Sequence, residues 1–132
     1  MQTLKAIKTK WFFGILLTIL SCSNDDNVLT QEQEAQQLSK MFVEIEALAS
    51  SESCVETSEW TFTSYGSKAC GGPIGYIAYS QNIDTALFLQ KIEEHRMAQQ
   101  AFNEKWGIIS DCSIPQEPQT VVCENGNPVF EF

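Results

Sequence analysis

From residue 30 onward the apolar positions fall into two alternating regimes, a helical period and an extended one. Thr30-Gln31-Glu32-Gln33 reads as a capping box, with Gln33 reaching back to the Thr30 amide. Leu38, Met41, Phe42, Ile45, Leu48 and Ala49 then recur at three- and four-residue spacing, which predicts one helix over 31–50. Trp60 and Phe62, flanked by threonines, alternate as in a strand near 60–63, and 74–79 is a short, apolar, aromatic run of the same kind. Tyr65-Gly66-Ser67 and Cys70-Gly71-Gly72-Pro73 break the chain between them. A second helix starts at an N-cap on Asp84 or Thr85 and stops at Gly107. Its inner seam is Phe88, Ile92, His95, Gln99, Phe102 and Trp106, with Leu89 alongside. Pro115 and Pro118 mark an irregular linker, after which 119–123 and 128–132 flank Glu124-Asn125-Gly126-Asn127, a strong hairpin signal. The expected fold class is α+β. Residues 30–132 form a single domain in which two amphipathic helices pack on a small antiparallel sheet of four strands.

The first 29 residues follow a different logic. Lys5, Lys8 and Lys10 precede a ten-residue apolar segment, Trp11–Leu20. That is short of the roughly 20 residues a permanent membrane helix needs and fits a cleavable signal. Ile19-Leu20-Ser21-Cys22 resembles the lipobox of signal peptidase II substrates, with Leu20 departing from the small residue usual at that place. The reading is a lipoprotein signal over 1–21, a lipidated Cys22, and an acidic tether completing 22–29. The competing readings are an ordinary signal peptide with an incidental Cys22, and an uncleaved anchor. Lipid chains on Cys22 would hold the protein at the membrane, because stable anchoring takes two or more chains. Ser23-Asn24-Asp25-Asp26-Asn27 resembles the acidic tract behind the lipidated cysteine of Bacteroidota lipoproteins exported to the cell surface. It reads equally as a solvated spacer. The expected location is the bacterial outer membrane, on its periplasmic face or at the cell surface.

Cleavage changes the charge picture. The chain of 132 residues carries a net −9, and loss of 1–21 removes three lysines and no acid. Five basic residues then face 17 acidic ones across 111 residues, a net −12. Phosphate backbones repel such a domain, so nucleic acid is not an expected partner. Four cysteines remain after Cys22: Cys54, Cys70, Cys112 and Cys123. An even number in a small exported chain reads as two disulfides. With no CxxC and a single histidine, neither a metal nor another cofactor is expected. Chain reach bears on the pairing. An extended run from Cys70 to Ser80 covers up to about 33 Å, and a helix of about 23 residues returns roughly 34 Å. Cys112 is thereby brought back near Cys70. That favours Cys70–Cys112 with Cys54–Cys123, and Cys54–Cys70 with Cys112–Cys123 stays open.

The ordered string Trp60-Thr61-Phe62, Lys68-Ala69-Cys70-Gly71-Gly72-Pro73, Gly75-Tyr76-Ile77-Ala78-Tyr79-Ser80 and Ser110-Asp111-Cys112, bracketed by Cys54 and Cys123, resembles a group of small, exported, cysteine-containing bacterial proteins. The resemblance implies one domain with this cysteine framework. It implies no biochemical activity.

Candidate chemistry is sparse. His95 is the only histidine, and its place on the apolar seam points to a packed, hydrogen-bonded core residue rather than a catalyst. No GxSxG, HExxH, P-loop, EF-hand or dinucleotide fingerprint occurs. Glu93 and Glu94 are helix neighbours that point apart, which does not make a glycosidase pair. Glycines beside a disulfide can form an anion-binding nest, so Lys68, Gly71, Gly72 and Pro73, with Tyr76, form a candidate binding loop. The alternative for that loop is a tight turn in which the glycines supply positive φ. Tyr65, Tyr76 and Tyr79 offer an aromatic contact surface or half-buried core. The expected function is a non-enzymatic binding or structural role in the envelope, through recruitment or inhibition of a protein. A small carboxylate-dependent, glycan-directed enzyme is the alternative.

Overall fold

A computed structural model describes residues 28–132, so Cys22 and the expected signal and most of the tether lie outside the described residues. The elements are α1 (Gln31–Ala49), a single 3-10 turn (Thr57–Glu59), β1 (Trp60–Tyr65), β2 (Gly75–Ser80), α2 (Thr85–Trp106), β3 (Thr120–Glu124) and β4 (Asn127–Glu131).

Local chemistry sets the ends of the elements. The Thr30 hydroxyl accepts from the Gln33 amide at 3.3 Å, and the Gln33 side chain accepts from the Thr30 amide at 2.9 Å. Asp84 Oδ1 accepts from the Leu87 amide at 3.0 Å, and Gly107 closes α2 in the left-handed region at φ 59°. Lys91 pairs with Glu44 at 2.7 Å, and the Trp106 indole donates to Glu34 at 2.8 Å. The end of α2 thus meets the start of α1, so the two helices run antiparallel.

β1 and β2 form one antiparallel hairpin, with Trp60 opposite Ser80 and Tyr65 opposite Gly75. β3 and β4 form another, closed by Asn125 (φ 51°) and Gly126 (φ 83°). Positive φ at both central residues is the primed turn that Asn-Gly favours. The expectation of one four-stranded sheet is corrected here: these are two separate two-stranded sheets. The reason lies in the pleat. On one face of the β1–β2 hairpin, Tyr65, Ile77 and Tyr79 pack with Ile45, Ala49, Phe88 and Ile92 of the helices. On the other face, Trp60, Phe62 and Ala78 pack with Val121, Cys123 and Phe130. A single sheet would leave that second apolar face in water. Stacking the β3–β4 hairpin on it buries both. The result is three layers: helices, a central hairpin and an outer hairpin.

The disulfides staple these layers. Cys54 pairs with Cys123 (Cα–Cα 5.2 Å) and Cys70 with Cys112 (Cα–Cα 5.6 Å), the pairing that chain reach favours. The first lies in the core between the hairpins, where Cys54 is 2% exposed, and the second is on the surface. Along α2 the buried positions are Phe88, Ile92 and His95, and Leu89, expected alongside the seam, is 41% exposed. Among the described residues no helix is long and apolar enough to cross a membrane.

Candidate functional site

The candidate loop resolves into a closed turn. The Lys68 amide donates to the Gly72 carbonyl and the Gly71 amide to the Lys68 carbonyl, both at 2.9 Å. Gly71 and Gly72 sit at φ 90° and 82°, a region that glycine enters without a Cβ penalty. The Lys68 ammonium donates to Asp111 Oδ1 (2.9 Å), the Ser113 carbonyl (2.7 Å) and Ser113 Oγ (3.1 Å). An ammonium has three donors, and all three are spent inside the fold. The Lys68 side chain is accordingly only 15% exposed. Lys68 thus pins the 110–113 segment beside Cys70–Cys112, with its three ammonium donors engaged inside the fold. Its hydrogen bond, followed by that of the Ser113 hydroxyl, holds the Asp111 carboxyl below the usual carboxylate range. Pro73 is half-buried at the end of the turn, and Tyr76 lies on β2, away from it.

His95 is buried as expected, at 5% exposure, with its ring tilted against that of Phe42 at 5.4 Å. The expected hydrogen bond is not found at Nδ1, which has no partner among the described residues. Burial pushes the imidazole below its ordinary value, so the neutral ring is favoured. Glu93 is held by Arg96 at 2.6 Å and Glu94 accepts from Gln90 at 2.8 Å, so these carboxylates serve the helix surface. Among the described residues no group of three His, Cys, Asp or Glu side chains is placed to hold a metal ion.

The most site-like feature is a cleft of about 560 Å³ that opens along the edge of the central hairpin. Its floor is three consecutive β2 residues, Tyr76, Ile77 and Ala78. One wall is the end of α1 and the chain after it, from Glu46 and Ala49 to Glu52 and Ser53; the other is the β3–β4 turn with Pro128 and Phe130. Only a strand edge lying between two outer layers brings side chains of both its faces into one cleft. No Lys, Arg or His lines it, and neither Glu46 nor Glu52 takes part in an ion pair among the described residues. Tyr76 and Phe130 also border a second groove of about 290 Å³ with Pro115, Pro118 and Phe132. Phe62 joins their rings edge-on, at 5.9 Å to Tyr76 and 6.1 Å to Phe130.

No family model, curated protein or solved structure matches this chain. The site therefore rests on its own geometry. Of the candidate binding residues named from the sequence (Lys68, Gly71, Gly72, Pro73 and Tyr76), only Tyr76 belongs to the cleft. Glu46, Glu52, Pro128 and Phe130 come from segments far apart in the chain. The available signal was 74–79 itself: an apolar run without alternation marks a strand covered on both faces, and hence one whose edge is flanked by two walls.

Proposed function

We propose that this chain is a lipid-anchored envelope protein, held in the bacterial outer membrane through Cys22, that binds another protein through the cleft at the β2 edge. The observation that carries the binding reading is the cleft itself. Aromatic and aliphatic groups (Tyr76, Ile77, Phe130) lie next to unpaired carboxylates, in a concavity of the size that specific sites occupy. The two disulfides agree with an oxidising compartment, and the N-terminal pattern supplies the anchor. A rigid three-layer domain on an acidic tether presents such a cleft away from anionic headgroups.

The test places a photo-crosslinking amino acid at Ser53, on the cleft rim, and in a second protein at Gln100, on the exposed side of α2. Both are expressed as the native lipoprotein, with a Cys22→Ala form as the unanchored control. A discrete partner captured from Ser53 and not from Gln100, and only by the anchored form, is the expected result. Identical captures from both positions would overturn the reading.

A further inference from the structure

We infer that the partner enters the cleft as an added β-strand, an extended segment with basic side chains on one face and apolar ones on the other. This deepens the proposed binding role and rests on it. The Gln81 amide donates to the Glu59 carbonyl at 2.7 Å, which sets the phase of the β1–β2 ladder. In an antiparallel pair, hydrogen-bonded and non-hydrogen-bonded positions alternate. With the register fixed by Thr61 opposite Tyr79 and Thr63 opposite Ile77, the odd-numbered residues of β2 exchange bonds with β1. Tyr76 and Ala78 therefore direct their N–H and C=O groups away from β1, toward the open edge. Among the described residues these groups have no hydrogen bond outside the β1–β2 ladder, and β2 has no second strand neighbour. An edge with unpaired amides is the template that strand addition uses.

The walls specify the guest. A strand laid beside β2 becomes the third strand of the central layer, and its side chains alternate between the two outer layers. Those on one side meet the α1 wall, where Glu46 and Glu52 carry uncompensated charge. Those on the other side meet Phe130 and Pro128 of the outer hairpin. Three guest residues span about 10 Å, matching the three-residue floor. The complementary sequence alternates Lys or Arg with Val, Ile or Thr over four to six residues. A second copy of this chain fits poorly, because its own cleft carries the same negative charge. The acidic 23–27 tract of the chain has the wrong sign for the same reason.

The probe is the octapeptide Lys-Val-Lys-Thr-Lys-Val-Lys-Thr, fluorescently labelled, against its Glu-for-Lys counterpart and a version N-methylated at alternate amides. The protein is the processed lipoprotein in detergent. Anisotropy titration is expected to show the basic peptide binding at least tenfold more tightly than the acidic one. N-methylation should abolish binding, and exchange of the Tyr76 and Ala78 amides should slow in the complex. Glu46→Lys with Glu52→Lys, two exposed positions, should weaken binding at least tenfold while the circular dichroism spectrum and melting temperature stay unchanged. Absence of peptide binding overturns strand addition, as does binding that leaves Tyr76 and Ala78 unprotected or tolerates N-methylation. Cleft-specific crosslinking from Ser53 that persists in either case would keep the broader binding role and remove only its strand geometry. Concentration-dependent self-association through the β2 edge, without peptide binding, would assign the cleft to a second copy and overturn the inference.

Discussion

The two disulfides should contribute unequally, and their nesting makes the difference calculable. Cys70–Cys112 closes a loop of 42 residues inside the loop of 69 closed by Cys54–Cys123. Chain-entropy scaling gives about 4 kcal/mol for either bridge formed alone. With both present, the outer ring runs only through 54–70 and 112–123, roughly 28 residues, so the pair together is worth about 7.5 kcal/mol. Removing Cys70–Cys112 from the intact protein then costs about 3 kcal/mol, and removing Cys54–Cys123 about 3.5 kcal/mol. The second figure needs an addition, because Cys54 is 2% exposed and packs with Trp60 and Val121. Truncation to Ala leaves a void there at a further cost of about 1 kcal/mol. The surface pair leaves none. The comparison uses Cys70→Ala/Cys112→Ala against Cys54→Ala/Cys123→Ala, each in a Cys22→Ala background, by guanidinium unfolding without reductant. The inner-core pair should be the costlier by more than 1 kcal/mol. Under graded reductant with alkylation and mass spectrometry, Cys70 and Cys112 should be modified first. Equal losses, or Cys54 modified first, would refute the claim that one bridge is core and the other surface.

Four further outcomes are expected. His95 has a folded-state pKa below its ordinary 6.5, so stability is fully present above that value and falls as pH drops below it, because the unfolded chain takes up a proton that the native state resists. His95→Leu should flatten this slope in pH-dependent melts and, by deleting an orphaned nitrogen, match or exceed the parent at neutral pH. The lowered carboxyls of Glu34, Glu44, Glu93 and Asp111 act in a lower window, with stability lost as pH falls below their ordinary values of 4.5 and 3.8; acid unfolding should therefore show two stages, and only the upper one should vanish in the His95 variant. Lys68→Met should return the Asp111 carboxyl toward its ordinary range in an NMR titration and raise amide exchange across 110–113. Thr30→Ala should cost about 1 kcal/mol in denaturant unfolding, and fraying should be confined to the first turn of α1.

The elements were legible because each is announced locally. A capping box, an Asn-Gly pair and a glycine after an apolar seam act over four residues or fewer, and the structure holds each where its chemistry requires it. The layer order was not legible by the same means. Trp60 and Phe62 alternate as half-buried strand residues do, which suits a sheet with one wet face. What decides otherwise is that Ala78 opposes Phe62 on the same face as Trp60, and that Val121, Cys123 and Phe130 need an apolar surface in turn. Those two faces are 40 or more residues apart, and only their mutual burial settles that the hairpins stack rather than join edge to edge. Chain reach succeeded for the disulfides because it is a length constraint, which helix rise and strand rise set almost independently of packing. The partners of the candidate loop were hidden for a related reason. Lys68 next to paired glycines looks like free charge in one dimension, yet Asp111 and Ser113, brought beside it by Cys70–Cys112, take all its donors. The same disulfide-bounded geometry leaves charge unspent elsewhere. Among the described residues, Glu46 and Glu52 belong to a helix end and a loop that face no cation, and the strand edge between them and Phe130 keeps its amides open. A strand edge whose amides have no partner among the described residues, set beside carboxylates outside any ion pair there, is where a partner's chemistry has to be sought.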